Sequence, residues 1–199
     1  MRPYLLVFAA SAGVTFLVTP VVRRLALWRG WIDQPSDRKV HPRPTPTAGG
    51  LAMYVGVAAG LLAARAIPFL SDLRETSSEL DAAFVAATVV VVLGMVDDTR
   101  GVSALGKLAG QVLAAGIVVL LGVQLLYFYF PGQDVLALQP NLAVPLTVLW
   151  IVALMYAVNL VDGLDGLAAG MVAIAAIAFF AYFRTPDGGD QASVAALMS

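Results

Sequence analysis

Leu142-Ala-Val-Pro-Leu-Thr-Val-Leu-Trp-Ile-Val-Ala-Leu-Met-Tyr-Ala-Val158 runs straight into Asn159-Leu-Val-Asp162-Gly-Leu-Asp165-Gly166, and a second apolar run, Leu167–Phe183, follows at once. Each apolar run approaches the roughly 20 residues that a helix needs to cross a bilayer. Their pairing around a short polar turn decides the fold class. Outward from this pair, the runs Pro3–Val22, Ala48–Ile67, Ala82–Val96 and Leu105–Val123 have the same character. The runs at 82–96 and 142–158 are short and fit spans that continue to a polar residue at one end. The sequence thus predicts an all-α polytopic membrane bundle of about six transmembrane helices. Residues 191–199 could begin a seventh.

Composition agrees. The chain is 60% hydrophobic and 13% charged, with a mean hydropathy of +0.85. A soluble domain carries about 25% charged residues, so lipid is the main solvent here. There is no cysteine, which excludes disulfides and thiolate metal sites. A net charge of −1 gives no case for nucleic acid. Residues 1–19 have the look of a signal peptide, but the run ends in Val21-Val22-Arg23-Arg24, a stop-transfer flank, and no small-x-small cleavage site precedes a mature domain.

The linkers alternate in charge. Arg23, Arg24, Arg29, Arg38, Lys39, Arg43, Arg100 and Lys107 fall on one side, and Arg2, Arg65, Arg74 and Arg184 on the other. The positive-inside rule makes the first set cytoplasmic and the amino terminus external. The loops at 23–47, 97–104 and 159–166 then lie inside. The aromatic, turn-containing segment 125–138 is predicted to form a small interfacial hairpin on the outer side.

The first inner loop reads Asp37-Arg38-Lys39-Val-His41-Pro-Arg43-Pro-Thr-Pro-Thr-Ala-Gly49-Gly50. Prolines at 42, 44 and 46 oppose a helix and favour an extended strand. The glycine pair would allow close backbone approach where the second span begins. A rigid cationic segment suits a phosphate-bearing partner, with Arg38 and Lys39 as candidate phosphate ligands. Topology alone would explain the basic residues, but not the Pro-x-Pro-x-x-Gly-Gly pattern. His41 is the only histidine and a weak candidate base.

The third span closes on Leu93-Gly94-Met95-Val96-Asp97-Asp98. Two adjacent carboxylates at the negative end of a helix dipole repel each other and invite a cation or a shared proton. A solvated helix end followed by a turn would be the plain alternative. Ser103 looks like an N-cap for the next helix, with Lys107 close behind it; a helix start with a nearby lysine is a ready anion site. A snorkelling anchor is the commoner use of a lone lysine. In the 159–166 motif, Asn159, Asp162 and Asp165 share one face if the helix continues, or flank a turn if Gly163 and Gly166 break it. Such oxygen ligands suit Mg²⁺, with Mn²⁺ as the alternative.

Together these stretches resemble the polyprenyl-phosphate N-acetylhexosamine-1-phosphate transferases, a family of bacterial GlcNAc-1-phosphate transferases and the phospho-MurNAc-pentapeptide translocase. The match is carried by Arg38-Lys-Val-His-Pro-Arg-Pro-Thr-Pro-Thr-Ala-Gly-Gly-Leu51, by Gly94-Met-Val-Asp-Asp98 with Lys107-Leu-Ala-Gly-Gln111, and by Asn159-Leu-Val-Asp-Gly-Leu-Asp-Gly-Leu-Ala-Ala-Gly170. The resemblance implies a Mg²⁺-dependent enzyme of the bacterial inner membrane with its active site on the cytoplasmic face. It would move a sugar 1-phosphate from a UDP-amino sugar to polyprenyl phosphate, release UMP, and so begin a cell-envelope polysaccharide. Asp97 and Asp98 match the family's acidic pair, proposed to deprotonate or position the lipid phosphate. Lys107 matches a diphosphate contact, Asn159 a metal ligand, and Asp165 a position near nucleotide and metal; Asp162 matches less uniformly. The form of the first loop looks like the GlcNAc branch. A homodimer is compatible with the resemblance.

One departure stands out. Family members are longer, with a Gly-Asp-x-Gly-Ser motif whose Asp binds Mg²⁺ and a His-rich loop, neither of which occurs here. Residues 1–199 therefore read as a single membrane domain forming the amino-terminal half to two-thirds of a longer transferase, incomplete alone. The readings set against this are an ion-coupled transporter, which would place its carboxylates near the bilayer midplane, and an inactive membrane fragment.

Overall fold

The computed structural model describes residues 2–33, 44–67, 77–128, 136–162, 164 and 166–183. The described elements run α1 (Arg2–Arg29), β1 (Ile32–Asp33), β2 (Thr45–Pro46), α2 (Gly49–Ala66), α3 (Ser77–Arg100), α4 (Ala104–Leu120), β3 (Tyr127–Phe128), β4 (Leu136–Ala137), α5 (Pro140–Val161) and α6 (Leu167–Phe183). The chain divides into two units, Met1–Val123 and Gln124–Ser199. Four described helices are long and apolar enough to cross a membrane: α1, α2, α3 over Leu80–Arg100, and α5. The helices α4 and α6 are apolar but shorter. This is a helical membrane protein.

In the first unit, α1 outruns its expected end at Val22 by a further two turns. Pro20 lies inside it and takes away the donor that would reach the Phe16 carbonyl. The helix stops where Gly30 turns left-handed (φ 73°). There the Trp31 amide donates to the Ala26 carbonyl (2.8 Å) and the Gly30 amide to Leu27 (3.3 Å), a Schellman close. The chain then enters β1, which pairs antiparallel with β2, Ile32 opposite Pro46 and Asp33 opposite Thr45. The extended backbone expected of the proline-spaced stretch is thus present at 45–46. The Thr47 amide and hydroxyl both donate to the Trp31 carbonyl (3.0 and 3.2 Å).

Helix α2 packs on α1 through a seam of small residues. Ala52, Gly56, Gly60 and Ala64, one turn apart, are its buried positions. A Cβ on Gly56 would overlap Thr15 Oγ1 and lie 2.8 Å from the Ser11 carbonyl oxygen; one on Gly60 would lie 3.0 Å from Ser11 Cβ. Without water to drive association, close backbone approach through small residues is how helices gain contact in lipid. The buried set is accordingly dominated by alanine: Ala26, Ala52, Ala64, Ala82, Ala86, Ala114 and Ala115. Large side chains such as Phe16 and Leu62 point outward.

Helices α2 and α3 run antiparallel. Tyr54 Oη and Thr88 Oγ1 are 2.7 Å apart, and the Tyr54 ring stacks on Phe84 at 5.1 Å. At one end Arg65 pairs with Asp81. At the other, Ala48 meets Asp98. The eighteen residues of α2 span about 27 Å, close to the hydrocarbon thickness of a bilayer. The two polar ends of this pair are therefore about one membrane apart.

In the second unit, β3 pairs with β4, Tyr127 opposite Ala137 and Phe128 opposite Leu136. This is the hairpin expected over 125–138. It is fastened by the Leu138 amide on the Leu126 carbonyl (2.8 Å) and by the Leu125 amide on the buried Thr147 hydroxyl of α5 (2.9 Å). Both α3 and α5 run beyond their apolar stretches to include Asp97-Asp98 and Asn159, as expected of spans that end on polar residues.

Candidate active site

Asp97 and Asp98 lie in the last turn of α3, inside the helix. The helix closes when Gly101 turns left-handed (φ 69°) and its amide donates to the Asp97 carbonyl (2.9 Å). The next helix begins at once. Ser103 is its N-cap, and its hydroxyl accepts from the Gly106 amide (3.2 Å), as the sequence predicts. The carboxylates are at a helix end, not midway along a span where an ion-coupled transporter would hold them.

The two carboxylates of the pair face different neighbours. Asp97 turns toward α4: Lys107 Nζ is 2.7 Å from Oδ2, and the Val102 amide donates to Oδ1 (2.9 Å). Lys107 is held in the first turn of α4, its amide on the Ser103 carbonyl (3.0 Å). Asp98 turns toward α2: its Oδ2 accepts from the Ala48 amide (2.9 Å). Each carboxylate thus meets the positive end of a neighbouring helix. The negative end of α3 disfavours both charges, and α4 and α2 offset this one apiece. Divergence also relieves the repulsion expected of adjacent carboxylates.

Ala48 was not legible as a site residue. It is buried and left-handed (φ 68°), the one described non-glycine residue with positive φ. An L-residue in that conformation costs about 1–2 kcal/mol. Among the described residues, a Cβ on Gly49 or Gly50 would meet nothing within 4 Å. Beneath Ala48, Val22, Ala52, Val18, Trp31, Leu51 and Met95 form an apolar cluster. On α4, one turn beyond Lys107, Gln111 Oε1 is buried with no hydrogen-bond partner among the described residues.

In the second unit, Asn159 is exposed in the last turn of α5 and Asp162 is its exposed C-cap, with its amide on the Val158 carbonyl (3.1 Å). Of the two geometries open to the motif, the described residues take the break: α5 ends at Val161, Gly166 is left-handed (φ 79°), and α6 starts at Leu167. Asp165, Arg38, Lys39 and His41 lie outside the described residues. No cluster of three acidic or histidine side chains that could hold a metal occurs among the described residues. Asn159 and Asp162 offer oxygen donors three residues apart. Mg²⁺ binds through few protein oxygens, keeping waters and taking further ligands from phosphates, so these two could contribute to a shell but do not by themselves make one.

Residues 81–199 match the family model for Glycosyl transferase family 4. The chain belongs to glycosyl transferase family 4. Within the family it is 39% identical over 167 residues to a decaprenyl-phosphate N-acetylglucosaminephosphotransferase of Mycolicibacterium smegmatis, covering 83% of this chain and 41% of the relative. It is 39% identical over 158 residues to a probable undecaprenyl-phosphate N-acetylglucosaminyl 1-phosphate transferase of Bacillus subtilis, covering 79% and 42%. A phospho-N-acetylmuramoyl-pentapeptide-transferase of Nocardia farcinica is 30% identical over 194 residues, covering 83% and 52%. The chain therefore spans less than half the length of its GlcNAc-phosphate relatives. No solved structure matches it.

Proposed function

We propose that the protein containing this chain transfers GlcNAc 1-phosphate from UDP-GlcNAc to a polyprenyl phosphate and releases UMP. The observation that carries this reading is the Asp97–Lys107 ion pair at the start of α4. It sets a cation and a helix amino end, both suited to phosphate, beside a carboxylate. The relatives' names supply the substrate class, and the higher identity to GlcNAc-phosphate transferases favours that sugar over MurNAc-pentapeptide.

In this reaction an oxygen of the lipid phosphate forms a bond to the β-phosphorus of the UDP-sugar. The bond from that phosphorus to the bridging oxygen breaks, and UMP leaves with the electron pair. Lys107 holds negative charge on the diphosphate. Asp97 orients Lys107 and accepts any proton remaining on the attacking phosphate. Arg38 and Lys39 add cationic charge from the first inner loop. Asn159 and Asp162, with Asp165, would hold Mg²⁺, which supplies charge neutralisation for phosphoryl transfer.

The distribution of basic residues supports a cytoplasmic site, an external amino terminus, and α4 and α6 as further spans of a six-helix arrangement in the bacterial plasma membrane. The test is UMP release from UDP-GlcNAc by the protein in its native membrane, with undecaprenyl phosphate and Mg²⁺. Release with UDP-MurNAc-pentapeptide alone would move the protein to the other branch. Release with neither would overturn the reading.

A further inference from the structure

Adjacent acidic residues invite a common role, yet the structure gives these two different partners. Asp97 is engaged by a side-chain cation and an amide of the α3–α4 turn. Asp98 is engaged by a main-chain amide fifty positions away, at the foot of another helix. That amide belongs to Ala48, which has no side chain with which to cap α2. As the N-cap of α2, Ala48 has no acceptor for its N–H within that helix. The first amides of a helix need acceptors from elsewhere, and a carboxylate at the amino end also meets the dipole favourably. Asp98 meets both needs. Ala48 is in turn the exit of the inner loop: Thr47 is tied to Trp31, and Thr45-Pro46 to Ile32-Asp33.

We infer that Asp98 is a positioning residue, whose carboxylate pins Ala48 and with it the end of the basic inner loop to the last turn of α3. This rests on the transferase reading for its link to turnover, but the contact itself can be tested apart from turnover. A residue that only accepts a hydrogen bond tolerates an amide in place of a carboxylate, because Asn still presents an oxygen. A base or metal ligand does not.

The experiment compares Asp98→Asn and Asp98→Ala in the complete protein in nanodiscs, reading UMP release and amide hydrogen exchange at Ala48 and Val102. In Asp98→Ala, exchange at Ala48 should rise and turnover fall by about tenfold or more, the scale of a lost bond to a charged acceptor. Val102, held by Asp97, should keep its protection and so report that the α3–α4 turn is intact. In Asp98→Asn, protection at Ala48 and most of the turnover should return. An Asn variant as inactive as the Ala variant, with Ala48 still protected, would show that the charge acts on substrate and overturn the inference. So would unchanged Ala48 exchange in Asp98→Ala. If the wild-type protein releases no UMP, the transferase reading fails, and the exchange comparison still decides the role of Asp98.

Discussion

Lys107 Nζ sits 2.7 Å from Asp97 Oδ2 across the three-residue turn that joins α3 to α4. Each residue holds the other at a place where a phosphate would be drawn. Lys107→Gln is expected to lower kcat/KM for UMP release by about 100-fold or more, the usual scale for removing a donor to developing phosphate charge. Asp97→Asn should do comparable damage, and the double variant little more than the worse single. Fully additive losses in this cycle would show that the two act separately.

The α1–α2 seam leaves no room at Gly56. Gly56→Ala should destabilise the protein by about 1–3 kcal/mol, as overpacking does, measured by denaturation in detergent. Adding Thr15→Ala removes the nearer obstruction but not the Ser11 carbonyl, so rescue should be partial. No loss of stability in Gly56→Ala would show that the helices part easily there.

The cap on α4 is a local test of the same region. Ser103→Ala removes the acceptor of the Gly106 amide and should cost about 1 kcal/mol, and Ser103→Gly less. Because the cap fixes the turn that carries Lys107, KM for the UDP-sugar should rise as well. A change in stability with kinetics untouched would detach the cap from the site.

Orientation can be read chemically, since residues 1–199 contain no cysteine of their own. A cysteine placed at Thr99 should react with an impermeant maleimide only from the cytoplasmic side. One placed at Ala66, at the opposite end of the α2–α3 pair, should react only from outside. Reversed labelling would invert the proposed topology.

Metal removal tests the mechanism directly. Chelation should abolish UMP release, and Mg²⁺ or Mn²⁺ should restore it. Asn159→Ala should raise the Mg²⁺ concentration needed for half-maximal rate. An unchanged requirement would remove Asn159 from the metal shell.

Much of the fold was legible because lipid imposes a simple rule. Apolar runs mark helices, and α6 occupies the residues expected of its run, Leu167–Phe183. Ser103 announces α4 through its side chain, and the aromatic turn at 125–138 announces its hairpin. The end of α1 was not legible in the same way. Apolarity tracks the hydrocarbon, whereas the helix stops only where Gly30 allows the left-handed turn. The acidic pair was visible in the sequence, but its division was not. Which way a carboxylate turns depends on the neighbouring helix ends, and nothing in an alanine betrays that its own backbone is left-handed or that its amide meets a carboxylate fifty residues away.

The α2–α3 pair is joined at three heights: Ala48 to Asp98, Tyr54 to Thr88, and Arg65 to Asp81. Sliding one helix along the other by a single turn would break all three links together. In a bilayer thinner than the pair, the two helices would therefore tilt together as one rod, one of the ordinary responses to hydrophobic mismatch. The position of the acidic pair along the membrane normal would then follow membrane thickness through the angle of that rod.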